Sequence, residues 1–188
     1  MAKLIFYYAT MNSGKTSNLL MTSYSLKSSG KKVVLVKPSI DDRFGERTIK
    51  SRVGIQEEAD ILIRPYATVC VVDPDVDVVL VDEAQFLSDK NVEALRRLTK
   101  NNTQVICFGL LTDYKSALFP GSKRLLEISD EFRELDITGS YCVLCKTKKA
   151  TINSKYDKDG NTVKDGSDEP ELGAEDKYRA VCWECWAR

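Results

Sequence analysis

Ala9-Thr10-Met11-Asn12-Ser13-Gly14-Lys15-Thr16 follows the phosphate-loop spacing G-x-x-x-x-G-K-[ST], except that alanine stands at the first glycine. In such a run, successive backbone N–H groups and the positive end of a following helix surround a phosphate. Lys15 then reaches the β- and γ-phosphates and the Thr16 hydroxyl ligates Mg²⁺. Farther along, Asp82-Glu83 closes the apolar run Val78-Val79-Leu80-Val81. An aspartate there supports the Mg²⁺, and the neighbouring glutamate is free to accept the proton of an attacking alcohol. Cys142-x-x-Cys145 and Cys182-x-x-Cys185 have the ligand spacing of a tetrahedral four-thiolate zinc site. Each group has a plainer alternative: a Gly-Lys-Thr opening an ordinary helix, a solvated Asp-Glu cap, and redox-active or merely buried cysteines.

These groups need elements to hold them. Leu4 to Tyr8 is a short apolar and aromatic run, which predicts a buried strand feeding the loop at Ala9 to Gly14. From Lys15 to Ser28, Leu19, Leu20, Tyr24 and Leu26 recur at helical spacing, with Gly30 where the helix should end. Lys32 to Val36, Ile61 to Ile63, Val78 to Val81 and Gln104 to Phe108 predict further strands, and Val92, Leu95 and Leu98 form a helical stripe within Asp89 to Lys100. Continuous apolar strands alternating with helices predict a parallel sheet covered on both faces. The stretch from Pro65 to Asp75 reads as an irregular crossover. After Ile137-Thr138-Gly139 the composition turns polar, which sets a boundary between a unit at 1–139 and a smaller one at 140–188. Lys155 to Asp176 is too poor in apolar residues to build a core, and reads as a mobile loop or plain disorder.

Composition narrows the partners. The chain has 188 residues with 28 basic and 28 acidic side chains, so no net basic field gathers nucleic acid or an anionic membrane. Its apolar runs fall far short of the roughly 20 residues a membrane span needs. A cytoplasmic protein without a membrane or nucleic-acid partner is expected. Four of six cysteines lie in the two pairs, as suits a reducing compartment and a bound metal. Histidine is absent, so proton transfer must fall to a carboxylate, lysine, tyrosine or cysteine.

Taken together, several motifs resemble those of the zinc-containing type II thymidine kinases. They are Met11 to Thr16, Asp41-Asp42-Arg43-Phe44-Gly45, Val81-Asp82-Glu83-Ala84-Gln85-Phe86, Gly109-Leu110-Leu111-Thr112-Asp113-Tyr114, the four paired cysteines, and Leu172-Gly173-Ala174-Glu175-Asp176-Lys177-Tyr178. The resemblance covers essentially the whole chain. It implies an α/β fold of the P-loop (RecA-like) kind, with a small C-terminal zinc-ribbon domain whose lasso loop lies over a nucleoside. It further implies transfer of the ATP γ-phosphate to the 5′-hydroxyl of thymidine, with Mg²⁺, a structural Zn²⁺ and a homotetramer. Glu83 takes the part of catalytic base. Asp41, Asp42 and Arg43 lie near the ATP phosphates, and Asp82, Ala84 and Gln85 belong to the nucleotide site. Met11, Leu110, Tyr114 and Phe119 surround the base, and Tyr178 with the stretch Glu171, Leu172, Gly173 and Ala174 closes over it.

The sequence departs from the family pattern at Ala9, at Ala84, at Glu171 and in the short segment from Pro65 to Asp77. The basic residue expected in the lasso falls near Ser154, with Lys155 beside it. The rival reading is a nucleic-acid-dependent P-loop ATPase or a zinc-ribbon binding module. A helicase needs a second motor domain and a basic strand-tracking surface, and the chain is short and electrically balanced.

Overall fold

The computed structural model describes residues 1–64, 72–135, 141–166 and 177–188. The expected features at Pro65 to Cys70, at the boundary near Gly139 and at Glu171 to Ala174 lie outside the described residues.

Six strands form the main sheet: β1 (Leu4–Tyr8), β2 (Val33–Pro38), β5 (Ile61–Ile63), β6 (Val78–Val81), β7 (Gln104–Gly109) and β8 (Glu131–Glu134). Their order is β5-β2-β6-β7-β1-β8, and every pairing is parallel. Parallel strands need long return connections, and helices supply most of them. Helix α1 (Lys15–Ser28) packs Leu19 and Leu20 with Leu35, Leu80 and Phe108 on one face. Helices α2 (Asp89–Leu98) and α3 (Pro120–Ile128) pack Val92, Leu95 and Leu125 with Phe6, Val79, Val81 and Cys107 on the other. Because both faces are covered, β6 is buried at all four positions, which explains its unbroken apolar run. A two-stranded hairpin, β3 (Thr48–Lys50) with β4 (Gln56–Glu58), stands apart from the sheet.

The predicted strands and helices recur within a residue or two, and α2 starts at a Ser88–Asn91 capping box. The stripe in α1 is narrower than expected, because Tyr24 is exposed. Strand β8 was not anticipated. Its sequence, Glu-Phe-Arg-Glu, shows no inward-facing alternation, and Phe132 is exposed at the sheet edge.

Helix α3 opens with Pro120 at its first turn, then presses Gly121 onto the 3₁₀ turn Ala84–Phe86. A Cβ at position 121 would lie 2.5 Å from the Ala84 carbonyl oxygen, 2.7 Å from that of Leu87 and 2.9 Å from that of Gln85. Backbone carbonyls cannot swing aside as a flexible side chain does. Gly121→Ala is therefore expected to destabilise the fold by about 1–3 kcal/mol, read as a lower melting temperature. An unchanged melting curve would show that the helix can retreat without cost.

The smaller lobe is a three-stranded antiparallel sheet in the order β10-β9-β11, with β9 at Ile152–Tyr156, β10 at Thr162–Val163 and β11 at Tyr178–Val181. A short helix, α4 (Trp183–Ala187), follows Cys182. Its core is Ile152, Val181, Cys142 and Cys182 with Trp186. This corrects the expectation of a mobile or disordered stretch from Lys155, since residues 155–166 are folded. Few apolar residues suffice because Asp157 closes the turn, accepting from the backbone N–H of Asp159 at 2.9 Å and of Asn161 at 2.8 Å. Tyr156 is buried under the Arg179 guanidinium, 4.7 Å from its ring centre.

Candidate active site

The carboxyl ends of β1, β2, β6 and β7 converge, which is where open α/β sheets gather ligands. Strand β1 feeds Ala9 to Gly14 into the amino end of α1. Gly14 has φ 78°, a left-handed conformation that glycine adopts without strain. No side chain caps this helix and its first turn carries no acid, so its positive end is left for an anion. Lys15 folds back and donates to the Thr10 carbonyl oxygen at 2.7 Å. Burial lowers its pKa to about 8, against the pull of Glu83 and Asp82.

Strand β6 delivers the two carboxylates. The Thr16 hydroxyl donates to Asp82 Oδ2 at 3.1 Å, so the loop threonine and the strand-end aspartate stand side by side, as a shared Mg²⁺ requires. Burial, and next the charge of Glu83, raise Asp82 to about 7. A nearby cation would reverse that shift. Glu83 itself sits at φ 49°, ψ 39°, a conformation uncommon for a residue other than glycine. Both its oxygens are engaged: Arg43 Nη2 donates to Oε1 at 2.6 Å and Gln85 Nε2 donates to Oε2 at 2.5 Å. The fully buried Gln85 also accepts from the Leu110 backbone N–H at 3.0 Å, tying the end of β6 to the end of β7.

Arg43 is held from the other side by Asp41, whose Oδ1 accepts from Nε at 2.6 Å. Burial would lower the arginine pKa, but the Glu83 and Asp41 carboxylates outweigh it and raise the pKa above its ordinary value. For Asp41, burial acts upward, and the Arg43 hydrogen bond and charge hold it below the usual carboxylate range.

A cleft of about 240 Å³ runs from this charged end to an aromatic one. Met11, Asn12, Gly14, Lys15, Thr16, Arg43, Glu83 and Gln85 line it, as do Leu110, Tyr114, Phe119 and Tyr178. The ring centres of Tyr114 and Tyr178 stand 6.5 Å apart, edge to face, and Phe119 meets Phe86 in the same way at 5.8 Å. Other expected residues stay out of the lining. Ala9, Thr10, Ser13 and Ala84 are buried behind it, Asp41 and Asp82 act on it through Arg43 and Thr16, and Asp42 is exposed.

Sequence reasoning missed Asn153, Phe44, Phe86, Lys50 and Arg52 in the lining, and Lys37 beneath it. Asn153 matters for architecture: its Oδ1 accepts from the Met11 backbone N–H at 2.7 Å, so the small lobe grips the phosphate loop directly. Trp186 makes a second tie, donating to the Tyr114 carbonyl oxygen at 3.1 Å. Lys155 points its ammonium at the Tyr114 ring, 5.0 Å from the centre.

The sulfurs of Cys142, Cys145, Cys182 and Cys185 lie within 4.8 Å of one another, with Cys145 and Cys182 at 3.9 Å. Tetrahedral Zn–S bonds of about 2.3 Å put sulfurs about 3.8 Å apart, so the four thiols fit a zinc ion after small adjustments. Among the described residues no helix is long and apolar enough to cross a membrane.

A parallel sheet with its phosphate loop, carboxylate pair and aromatic cleft defines a P-loop nucleotide-binding α/β protein. Comparison with known proteins narrows this. The family model for thymidine kinase matches residues 2–186. A thymidine kinase from Chromobacterium violaceum is 43% identical over 187 residues, covering 99% of this chain and 98% of that protein. Those from Encephalitozoon cuniculi and Coxiella burnetii are 39% and 38% identical, over 97% of this chain and 86% and 93% of theirs. The chain belongs to the thymidine kinase family.

Proposed function

We propose that this chain transfers the γ-phosphoryl group of ATP to the 5′-hydroxyl of thymidine, giving dTMP for deoxynucleotide salvage. One observation carries the reading: a single cleft is lined by the phosphate-loop run, a doubly held glutamate and an aromatic wall. The triphosphate lies along Ala9 to Thr16, with Lys15 at its β- and γ-phosphates and Asp41, Asp42 and Arg43 on the outer side. Thr16 and Asp82 hold Mg²⁺, with Ala84 and Gln85 behind them. When bound, the metal neutralises charge on the transferring phosphoryl oxygens. Met11, Leu110, Tyr114, Phe119 and Tyr178 receive the pyrimidine, whose plane favours aromatic and thioether neighbours.

Glu83 is the base. A carboxylate has about four lone-pair positions, and Arg43 and Gln85 use two, so an oxygen remains open to the substrate hydroxyl. As the 5′-oxygen bonds to phosphorus and the bond to the β-phosphate oxygen breaks, the hydroxyl proton passes to Glu83 and ADP leaves.

A coupled assay of ATP consumption over a nucleoside panel tests the reading. ADP should form with thymidine and not with purine nucleosides. No turnover with thymidine, together with ATP hydrolysis stimulated by DNA, would replace the kinase with a nucleic-acid-dependent ATPase.

The two cysteine pairs close a structural zinc site, within a small domain at 140–188 that completes the phosphate-loop domain at 1–139. Purified protein is expected to carry about one Zn²⁺ per chain by elemental analysis, since four thiolates satisfy the ion. Active, unoxidised protein without zinc would refute the site. The family resemblance also favours a homotetramer, and light scattering that gives an active monomer would contradict it.

A further inference from the structure

Lys37 is the cation that sequence reasoning overlooked. It lies at the end of β2, is 1% exposed, and sits across from the strand that delivers Asp82 and Glu83. Burying an ammonium is costly unless it is paired and hydrogen-bonded. Lys37 meets both conditions. Its Nζ lies 3.4 Å from Asp41 Oδ2 and donates to the Thr48 carbonyl oxygen at 3.0 Å. The second Asp41 oxygen, Oδ1, holds Arg43 Nε, and Arg43 Nη2 holds Glu83 Oε1. Four side chains thus form one line of alternating charge, Lys37⁺, Asp41⁻, Arg43⁺, Glu83⁻, anchored at its buried end by backbone.

We infer that Lys37 is a positioning residue for phosphoryl transfer, acting at a distance by fixing Asp41 and, through Arg43, the carboxylate of Glu83. The inference rests on Glu83 as the base. Two arguments support a part in orientation beyond packing. Arg43 and Glu83 are both partly exposed to the cleft, at 18% and 13%, so their ion pair helps to hold their rotamers against solvent. Asp41, by contrast, has both oxygens committed, Oδ1 to Arg43 and Oδ2 to Lys37. Remove that ammonium and the Asp41 carboxylate can turn about its Cβ–Cγ bond, carrying Arg43 with it. The same ammonium also ties down Thr48 at the start of the hairpin that brings Lys50 and Arg52 to the cleft.

The test is a double-mutant cycle of Lys37→Met with Glu83→Gln, read as kcat and KM for thymidine and ATP. Lys37→Met should lower kcat roughly 10-fold with both KM values little changed, because misplacement of a reacting group costs rate before it costs affinity. In the Glu83→Gln background the same substitution should have almost no further effect, since the group it positions is gone. Lys37→Arg, which keeps the charge, should recover most of the rate. If Lys37→Met lowers kcat by the same factor in both backgrounds, the residue is merely structural and the inference falls. It falls equally if Lys37→Met has wild-type kcat. A wild-type kcat for Glu83→Gln alone would instead remove the base assignment, and is a separate outcome. Melting temperature and zinc content report folding. Should Lys37→Met not fold, Lys37→Gln retains a donor for the Thr48 carbonyl without the charge and is read in the same cycle.

Discussion

Glu83→Gln is expected to lower kcat by roughly 100-fold or more while leaving the affinities for ATP and thymidine nearly intact. The substitution keeps size and shape and removes only the proton acceptor. An amide at this position can still accept from Arg43 through its oxygen, which now receives a 2.6 Å hydrogen bond. Toward Gln85, however, its NH₂ would face the Gln85 NH₂ now donating at 2.5 Å, so one of the two amides must flip. A flip at Gln85 would cost it the acceptor for the Leu110 N–H. A melting curve taken with the kinetics therefore separates the two effects: lost chemistry leaves stability alone, whereas a broken clamp lowers both. Steady-state rates equal to wild type would remove Glu83 from the mechanism.

Much of the charged end of the cleft was legible because its elements announce themselves locally. Val78 to Val81 reads as a strand since both faces are buried, and the acids that follow must then emerge at the strand's carboxyl end. The same logic places Ala9 to Gly14 between β1 and α1. Long-range pairings were not legible. Nothing in the local sequence tells that Asn153 will meet the backbone of Met11, 142 positions away, or that Gln85 will bridge to Leu110. Lys37 was hidden for a different reason. A lysine after an apolar run reads as a strand reaching solvent, and it is the later Asp41 and the Thr48 carbonyl that make its burial tolerable.

The β9–β10 hairpin was missed because polar composition from Lys155 onward was equated with absence of structure, and strand β8 because its sequence shows no inward-facing alternation. Glu131 to Glu134 pairs in full register with Ile5 to Tyr8, yet as an edge strand it needs little apolar surface. In the hairpin, Asp157 supplies by hydrogen bonding the order that apolar residues did not. That order has a consequence for function: β9 presents Asn153 to the Met11 backbone and Lys155 to Tyr114, so the cysteine-bearing lobe helps to shape the cleft.

Lys15→Met should damage binding and chemistry together, in contrast to Glu83→Gln. The ammonium is buried, donates to the Thr10 carbonyl oxygen at 2.7 Å, and is pushed down to about 8 by burial in the free protein. It is therefore held in the loop at some electrostatic cost, and the arriving phosphates, being anionic, favour its charged form. Part of what ATP binding gains is the relief of that cost. On the proposed reading, the same charge would stay against the β,γ region as the phosphoryl group loosens from ADP and would stabilise the transition state. Methionine keeps the length and the packing but offers neither charge nor donor, and it leaves the Thr10 carbonyl without this partner. The expected result is a KM for ATP raised roughly 10-fold or more and a kcat lowered roughly 100-fold or more. Thymidine binding measured without ATP should hardly change, because the aromatic wall of Tyr114, Phe119 and Tyr178 lies at the other end of the cleft. Unaltered ATP affinity and turnover would mean that the triphosphate does not lie along this loop, and the orientation of the whole cleft would have to be reversed.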